Sequence, residues 1–348
     1  MPVEPVPAET RATTTTRSAG AAAAWIAVLF VGAVMVAVGM AIEFPMAARV
    51  IGGLVGVFVM YTGLDRALRH WMGRPVETDL WLALAWVVML VGAAVFADFL
   101  PLSESYDSSL TLTDPSRATP DLLSAHPFGT DSQALDILGG VIYGARVSLQ
   151  VSLIAVLVGT VLGGLIGIAA GYFGGRLDSI IGVLTDSTLA FPPLILLLAL
   201  VTAIEPSVLS IALALALLGI PTYTRLARAN TLTLVHREFV VAARTLGAGH
   251  TRIILRELVP NVLRPLLSYS FIIVAVLIVA EASLSFLGVG ISRPTPTWGN
   301  MISAGQGELR TSPHLVFIPS AVMFVTVYAL NRLGDKARQF WDPRDSAL

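Results

Sequence analysis

The chain has 348 residues, of which 55% are hydrophobic and 13% charged, with a formal net charge of −1. A soluble domain carries about 25% charged residues, so this composition excludes an ordinary water-soluble enzyme, and a mean hydropathy of +0.78 excludes intrinsic disorder of the whole chain. The lack of cysteine excludes disulfides, thiolate catalysis and cysteine metal sites, and the near-neutral charge gives no reason to expect a nucleic-acid partner.

A bilayer-spanning helix needs about 20 mostly apolar residues. Residues 1–20 are rich in Pro, Thr and Ala and read as a disordered tail. Ala21–Ile42 is the first uncharged stretch. It is longer than the about 7–15 apolar residues of a signal peptide, so it reads as an anchor. Val50–Leu64 is a shorter, glycine-rich second span, and Leu80–Ala97 is the third. Val147–Gly174 is the fourth. The fifth runs from Ile180 to Ile204, contains Asp186, and should bend at Pro192-Pro193. Ser207–Tyr223, Leu266–Phe286 (with Glu281 near one end) and Leu315–Asn331 complete the set. The expectation is an all-α polytopic membrane protein of about eight spans. Residues 21–78 form an N-terminal hairpin with its cytoplasmic loop, and 79–348 form the main transmembrane domain.

Of the 22 basic residues, only Arg49, Arg117, Arg146, Arg293 and Arg310 fall on the side opposite the N-terminus. Positive residues stay in the cytoplasm. Both termini are therefore predicted to be cytoplasmic, with the acidic loop 100–146 and the Pro/Gly-rich segment 288–314 outside, and loop 225–264 inside.

The single lysine, Lys336, sits in Gly-Asp-Lys-Ala, so the chain carries no P-loop. ATP, if used, must bind another chain. The five histidines show no i, i+4 pairing with a carboxylate and no serine lies in a nucleophile elbow. No catalytic residue, metal ligand or cofactor is expected in this chain.

The inner loop is the most informative segment. Phe239, Ala242, Ala243 and Leu246 recur at i, i+3, i+4 and i+7, one face of a short helix. Glu238 at its start and Arg244 at its end suit the helix dipole, and Gly247 suits the left-handed residue that ends it. A second helix carries Ile253, Ile254 and Leu258 and is interrupted or bent at Pro260. The pair forms either a protruding knob or an amphipathic segment on the membrane surface.

Ala242-Ala243, Gly247, Ile254 and Val259-Pro260-Asn261 resemble the cytoplasmic loop motif of prokaryotic ABC importer permeases, with Val241 where that motif usually has Glu. His126-Pro-Phe-Gly-Thr-Asp131, Val141–Leu149, Ala170–Gly175 with Asp178, Asp186 with Phe191-Pro192, Glu281–Gly288, Pro294, Pro296, Trp298-Gly299 and Met301 resemble the dipeptide/oligopeptide/nickel group, and its second, C-type permease subunit in particular. So does the tail from Asn331 to Arg344. The likeness runs from about Leu80 to Arg344 and leaves the hairpin over Ala21–Leu64 without a counterpart.

The resemblance implies a type I ABC importer transmembrane domain in the bacterial inner membrane. It implies a homologous second permease, ATPase subunits that hold ATP and Mg, an external solute-binding protein and a peptide cargo. Nickel chelates and glutathione are the alternative cargoes. The resemblance makes Glu238, Phe239, Ala242, Ala243, Leu246, Gly247 and Pro260 the residues of a coupling element that docks on the ATPase. Asp186, Pro192, Glu281 and Trp298 are candidates for the gate or path. Ionisable residues within spans usually face a cavity or the bundle interior; for Asp186 and Glu281 a structural hydrogen bond is favoured over a path role. The rival reading is an ion-coupled secondary transporter using Asp186 or Glu281 as its proton site. Glycines 159, 163, 164 and 167 read as helix-packing residues, and Trp298 and Trp341 as interfacial anchors, Trp298 also as an external contact.

Overall fold

The computed structural model describes residues 24–35, 55–56, 59–67, 77–121 and 124–341. Two units divide at Leu82, Met1–Leu82 and Ala83–Leu348.

In the first unit, α1 (Ala24–Met35) is apolar but shorter than a span, and α2 covers 59–67. A Cβ on Gly32 would lie 2.5 Å from the Met60 backbone nitrogen, and one on Gly63 2.7 Å from that of Leu29. The two helices thus touch through bare backbone. The Arg66 guanidinium lies over the Trp25 ring, 4.7 Å from its centroid. The tail 1–20 and much of the predicted spans Ala21–Ile42 and Val50–Leu64 lie outside the described residues.

The described residues hold five helices long and apolar enough to cross a bilayer: α3 (Thr78–Val95), α4 (Ile137–Phe173), α7 (Val208–Leu234), α9 (His250–Phe286) and α11 (His314–Trp341). There are six such spans if α5 (Gly175–Ala190) and α6 (Pro193–Val201) count as one broken span, bent by 90°. Two short helices remain, α8 (Glu238–Thr245) and α10 (Trp298–Gly305). Regular structure among the described residues is helical apart from one isolated bridge, Thr130 to Asp136.

α4 and α9 are each 37 residues long. At 1.5 Å per residue that is about 55 Å, against about 30 Å of hydrocarbon. Both therefore project beyond the membrane, which moves the predicted loop boundaries. α4 begins at Ile137, so the irregular segment before it ends at Asp136, and 137–146 of the expected external loop are helical. α7 continues through Arg225 and Arg228 to Leu234, and α9 starts at His250. The stretch between these two long helices is thus 235–249, within the 225–264 loop expected from the sequence. Charge marks where hydrocarbon ends, but the backbone ladder continues through charged residues as long as nothing caps it. The α4 start is capped: Gly139 N–H donates to the Asp136 carboxylate at 2.7 Å.

The expected proline bend is present. Phe191 is extended, with φ −75° and ψ 137°, as the residue before a proline must be. The chain turns there between α5 and α6.

α4 lies along α7 at a spacing set by glycines on one face. A Cβ at Gly163 would fall 2.6 Å from Ile220 O, one at Gly167 2.3 Å from Thr224 O, and one at Gly171 2.8 Å from Thr231 Cβ. Residues four apart share a helix face, and small residues there let two backbones meet. Gly164 turns the other way, toward Leu266 of α9. Beside this seam α4 widens into a π-turn over Gly159–Gly163. Thr160 Oγ1 lies 3.4 Å and the Tyr223 hydroxyl 2.9 Å from Ser270 Oγ.

Gly167→Ala should overpack the seam and cost about 1–3 kcal/mol. The melting temperature in detergent should fall, whereas Gly182→Ala, where a Cβ meets nothing within 4 Å, should leave it unchanged or slightly raised.

Candidate coupling surface and path residues

α8 is short, and its two sides differ. Val240 is fully buried, and Ala243 and Ala248 pack partly buried against the main core. Glu238, Phe239, Ala242 and Leu246 face outward. Leu246, at the tip, is 88% exposed. An apolar side chain so exposed gains nothing from water. Val241, where the related motif has Glu, is also exposed.

The turn after α8 has the expected left-handed glycine, with Gly247 at φ +81°. Gly247 N–H donates to Arg244 O and Ala248 N–H to Ala243 O, both at 3.0 Å. This is a Schellman motif, and its Ala248–Ala243 side is the side that packs inward. The knob is thus a helix, a fixed turn and the start of α9.

Two expectations are corrected here. Ala243 is half-buried against the core and not exposed like Phe239, Ala242 and Leu246, because it lies three residues after the fully buried Val240 on the same side of the helix. Pro260 does not interrupt the following helix. A π-turn over Ile253–Leu258 precedes it, with Val259 N–H reaching Ile254 O, so the ladder is already shifted where the proline lacks an N–H.

The path candidates fall into separate places. Glu281 is fully buried in α9. Ser148 Oγ donates to it at 2.8 Å and Ser285 Oγ at 2.7 Å. Asp186 is an exposed α5 residue that accepts from Arg225 Nη2 of α7 at 2.7 Å. Pro192 is exposed at the α5–α6 corner. Trp298 overturns the expectation of an external contact. It is 0% exposed and donates from Nε1 to Val141 O at 3.1 Å. Gly144 makes room for it: a Cβ there would stand 3.2 Å from Trp298 Cδ1. A capping box between Thr297 and Asn300 satisfies the helix end that carries it.

Four pairings had no sequence signal of their own. Asp178 in the first turn of α5 makes a two-pronged contact with Arg228 of α7, one arm of it Nη2 to Oδ2 at 2.7 Å. At the opposite end of the long helices, Arg117 grips Glu308, holding that carboxyl below its usual range. Arg293 donates to Asp131 at 2.9 Å. His126 Nδ1 lies 3.1 Å from the Asp136 carboxylate. Burial pushes the Asp136 carboxyl up, while the Gly139 N–H and His126 act against it.

Spanning helices packed around a backbone-to-backbone seam, with Glu281, Tyr223 and Trp298 each finding a partner inside, are the build of a polytopic membrane protein. Residues 163–344 match the family described as binding-protein-dependent transport system inner membrane component, and the chain belongs to that family, the membrane permease component of ABC transporters. It is 34% identical over 263 residues to the dipeptide transport system permease protein DppC of Alkalihalophilus pseudofirmus, covering 76% of this chain and 86% of that one. It is 34% identical to the glutathione transport system permease protein GsiD of Pectobacterium atrosepticum, covering 74% and 84%. It is 38% identical over 220 residues to DppC of Haemophilus influenzae, covering 63% and 75%.

Glu281 separates a structural carboxylate from a proton site. Glu281→Ala should cost about 1–3 kcal/mol by leaving buried hydroxyls without their acceptor. Glu281→Gln keeps an acceptor and should fold and transport within about twofold of the parent, a change of a few tenths of a kcal/mol. A folded Gln variant with no uptake would mark Glu281 as part of the path.

Proposed function

We propose that this chain is one of two homologous permease subunits of an ATP-driven importer of di- or oligopeptides, worked through the loop 235–249. The carrying observation is the pair of dipeptide permeases that it matches over most of both chains. Glutathione is itself a tripeptide, so the glutathione permease among the relatives lies within the same cargo class. Nickel chelates are the other cargo the sequence raised, and no relative named above carries one.

The chain has no P-loop, so ATP and Mg are held by partner ATPase subunits. Glu238, Phe239, Ala242, Val241 and Leu246 form the surface that docks on them, with Gly247 fixing its turn and Ala243 supporting it from within. An external binding protein delivers peptide to the side of loop 100–136. Apolar side chains of α5 that point out of the chain, Ile180, Val183 and Leu184, suit a second permease across a shared path. Both termini and the knob lie in the cytoplasm. Nucleotide binding closes the ATPase pair and favours the outward-open state, and hydrolysis resets it.

A proton-coupled carrier needs a carboxylate that is free to exchange with the path. Glu281 is enclosed by two hydroxyl donors and Asp186 is paired with an arginine, which favours the ATP-driven reading.

Ala242→Asp tests it better than a change at Ala243, because position 242 is exposed and tolerates the charge in the free chain. A carboxylate forced against an apolar groove costs several kcal/mol, at least comparable with the ~5.5 kcal/mol that moves a two-state equilibrium from 1:99 to 99:1. Ala242→Asp should insert normally, lose the ATPase subunits and abolish uptake of labelled dipeptide in membranes. Gly247→Val should act in the same direction through its positive φ, and Thr251→Ser should be silent. Normal uptake by Ala242→Asp would refute the docking role of this loop. Uptake of a nickel chelate but no peptide by the reconstituted importer would refute the cargo.

A further inference from the structure

α4 ends in Tyr172-Phe173, and the next two residues, Gly174 and Gly175, stand at φ +62° and +58°. A Cβ on either glycine would meet nothing within 4 Å, so backbone conformation and not crowding requires glycine here. α5 leaves from this corner.

Three elements converge on Tyr172. Its hydroxyl lies 2.8 Å from Nδ1 of His250, the first residue of α9. Its ring meets the His250 ring edge-on at 5.6 Å between centroids. The guanidinium of Arg244, in the last turn of α8, lies over the same ring at 5.9 Å. One side chain of α4 therefore touches the helix before the Leu246–Gly249 turn and the helix after it. The remaining anchorage of α8 is apolar, through Val240 and Ala243. Apolar contact resists separation but is non-directional, whereas a hydrogen bond weakens steeply when it is misaligned.

On the far side of Tyr172 the chain is held just as closely. Gly171 sits against Thr231 and Arg228 of α7. Past the glycine corner, Asp178 of α5 is gripped by the same Arg228. The knob, the end of α4 and the start of the bent α5–α6 pair thus meet within a few residues, with Gly174-Gly175 forming the corner between α4 and α5.

We propose that Tyr172 is the positioning residue that transmits displacement of the 235–249 knob to α5, through its contacts with His250 and Arg244. The proposal rests on the reading of the knob as the element that docks on the ATPase. Tyr172 touches neither nucleotide nor cargo. It acts by keeping the knob and the α4–α5 corner moving as one body, so its loss uncouples ATP hydrolysis from transport without undocking the ATPase.

The test uses the complete importer, with both permeases, the ATPase subunits and the binding protein, in proteoliposomes loaded with ATP. The variants are Tyr172→Phe, which keeps the ring and removes the hydroxyl, His250→Ala at an exposed position, and the two combined. ATPase subunits should copurify in the parent ratio and hydrolysis should continue. Dipeptide taken up per ATP hydrolysed should fall about three- to tenfold in each single variant, the range set by one hydrogen bond. The double variant should be no worse than the poorer single, as for two ends of one contact. Unchanged uptake per ATP in both single variants would overturn the proposal. So would a loss of uptake that merely tracks loss of ATPase subunits, since Tyr172 would then only hold the knob folded. Ala242→Asp, assayed alongside, tests docking separately: if it transports normally, the docking reading fails whatever the position 172 variants do.

Discussion

The close approach of α4 to α7 is the constraint on which the rest of the main unit depends. Gly163, Gly167 and Gly171 place one helix backbone against the other with no room for a methyl group. In lipid no water drives helices together, so association rests on contact and internal hydrogen bonds. With this seam closed, the end of α4 is fixed against α7. Both Arg225 and Arg228 then lie where α5 can pair with them, through Asp186 and Asp178. The α5–α6 pair, whose first helix buries no side chain of its own, takes its position from these pairings and from the corner at Phe191-Pro192.

The same economy governs the polar side chains. A polar group in hydrocarbon must find its partner inside the protein. Glu281 finds Ser148 and Ser285, Tyr223 finds Ser270, and Trp298 finds the Val141 carbonyl. Ser148–Glu281 and Trp298–Val141 fix α9 and α10 against α4, and Tyr223–Ser270 fixes α7 against α9. They also explain why residues that look like path candidates in a span can be structural: a satisfied carboxylate between two hydroxyls has no open side from which to meet a solute. The knob at 235–249 has the opposite character. Its inner side belongs to the core, while its outer side leaves Leu246 and Phe239 in water, and its turn is locked by two backbone bonds.

How much of this was legible in the sequence follows from the range of each interaction. Local signals read correctly: the α8 helix with Glu238 and Arg244 at its ends, Gly247 as its left-handed stop, the bend at Pro192, and Gly163 and Gly167 as packing residues of α4, although Gly164 faces α9 and Gly171 joins the seam. Each depends on residues within about one turn of each other. The motifs from His126 to Met301 also pointed to the right family, because family membership is carried by residue order along the chain. The helices run past the ends of the apolar stretches. Charges such as Arg146 and Arg225 end an apolar stretch, but a helix goes on until a cap or a turn ends it.

By itself, then, the sequence determined that this is an all-helical membrane permease, with a short helix that ends at a left-handed Gly247. Which side of that helix is free was decided only by tertiary packing, and so was the fate of Ala243, Trp298, Glu281 and Tyr172. A helical period says which residues share a face, but not which face meets the core. Likewise the pairings Asp178–Arg228 and Tyr172–His250 join residues that no spacing rule connects. They exist because a seam of glycines brings α4 and α7 into contact and carries the chain ends along with them.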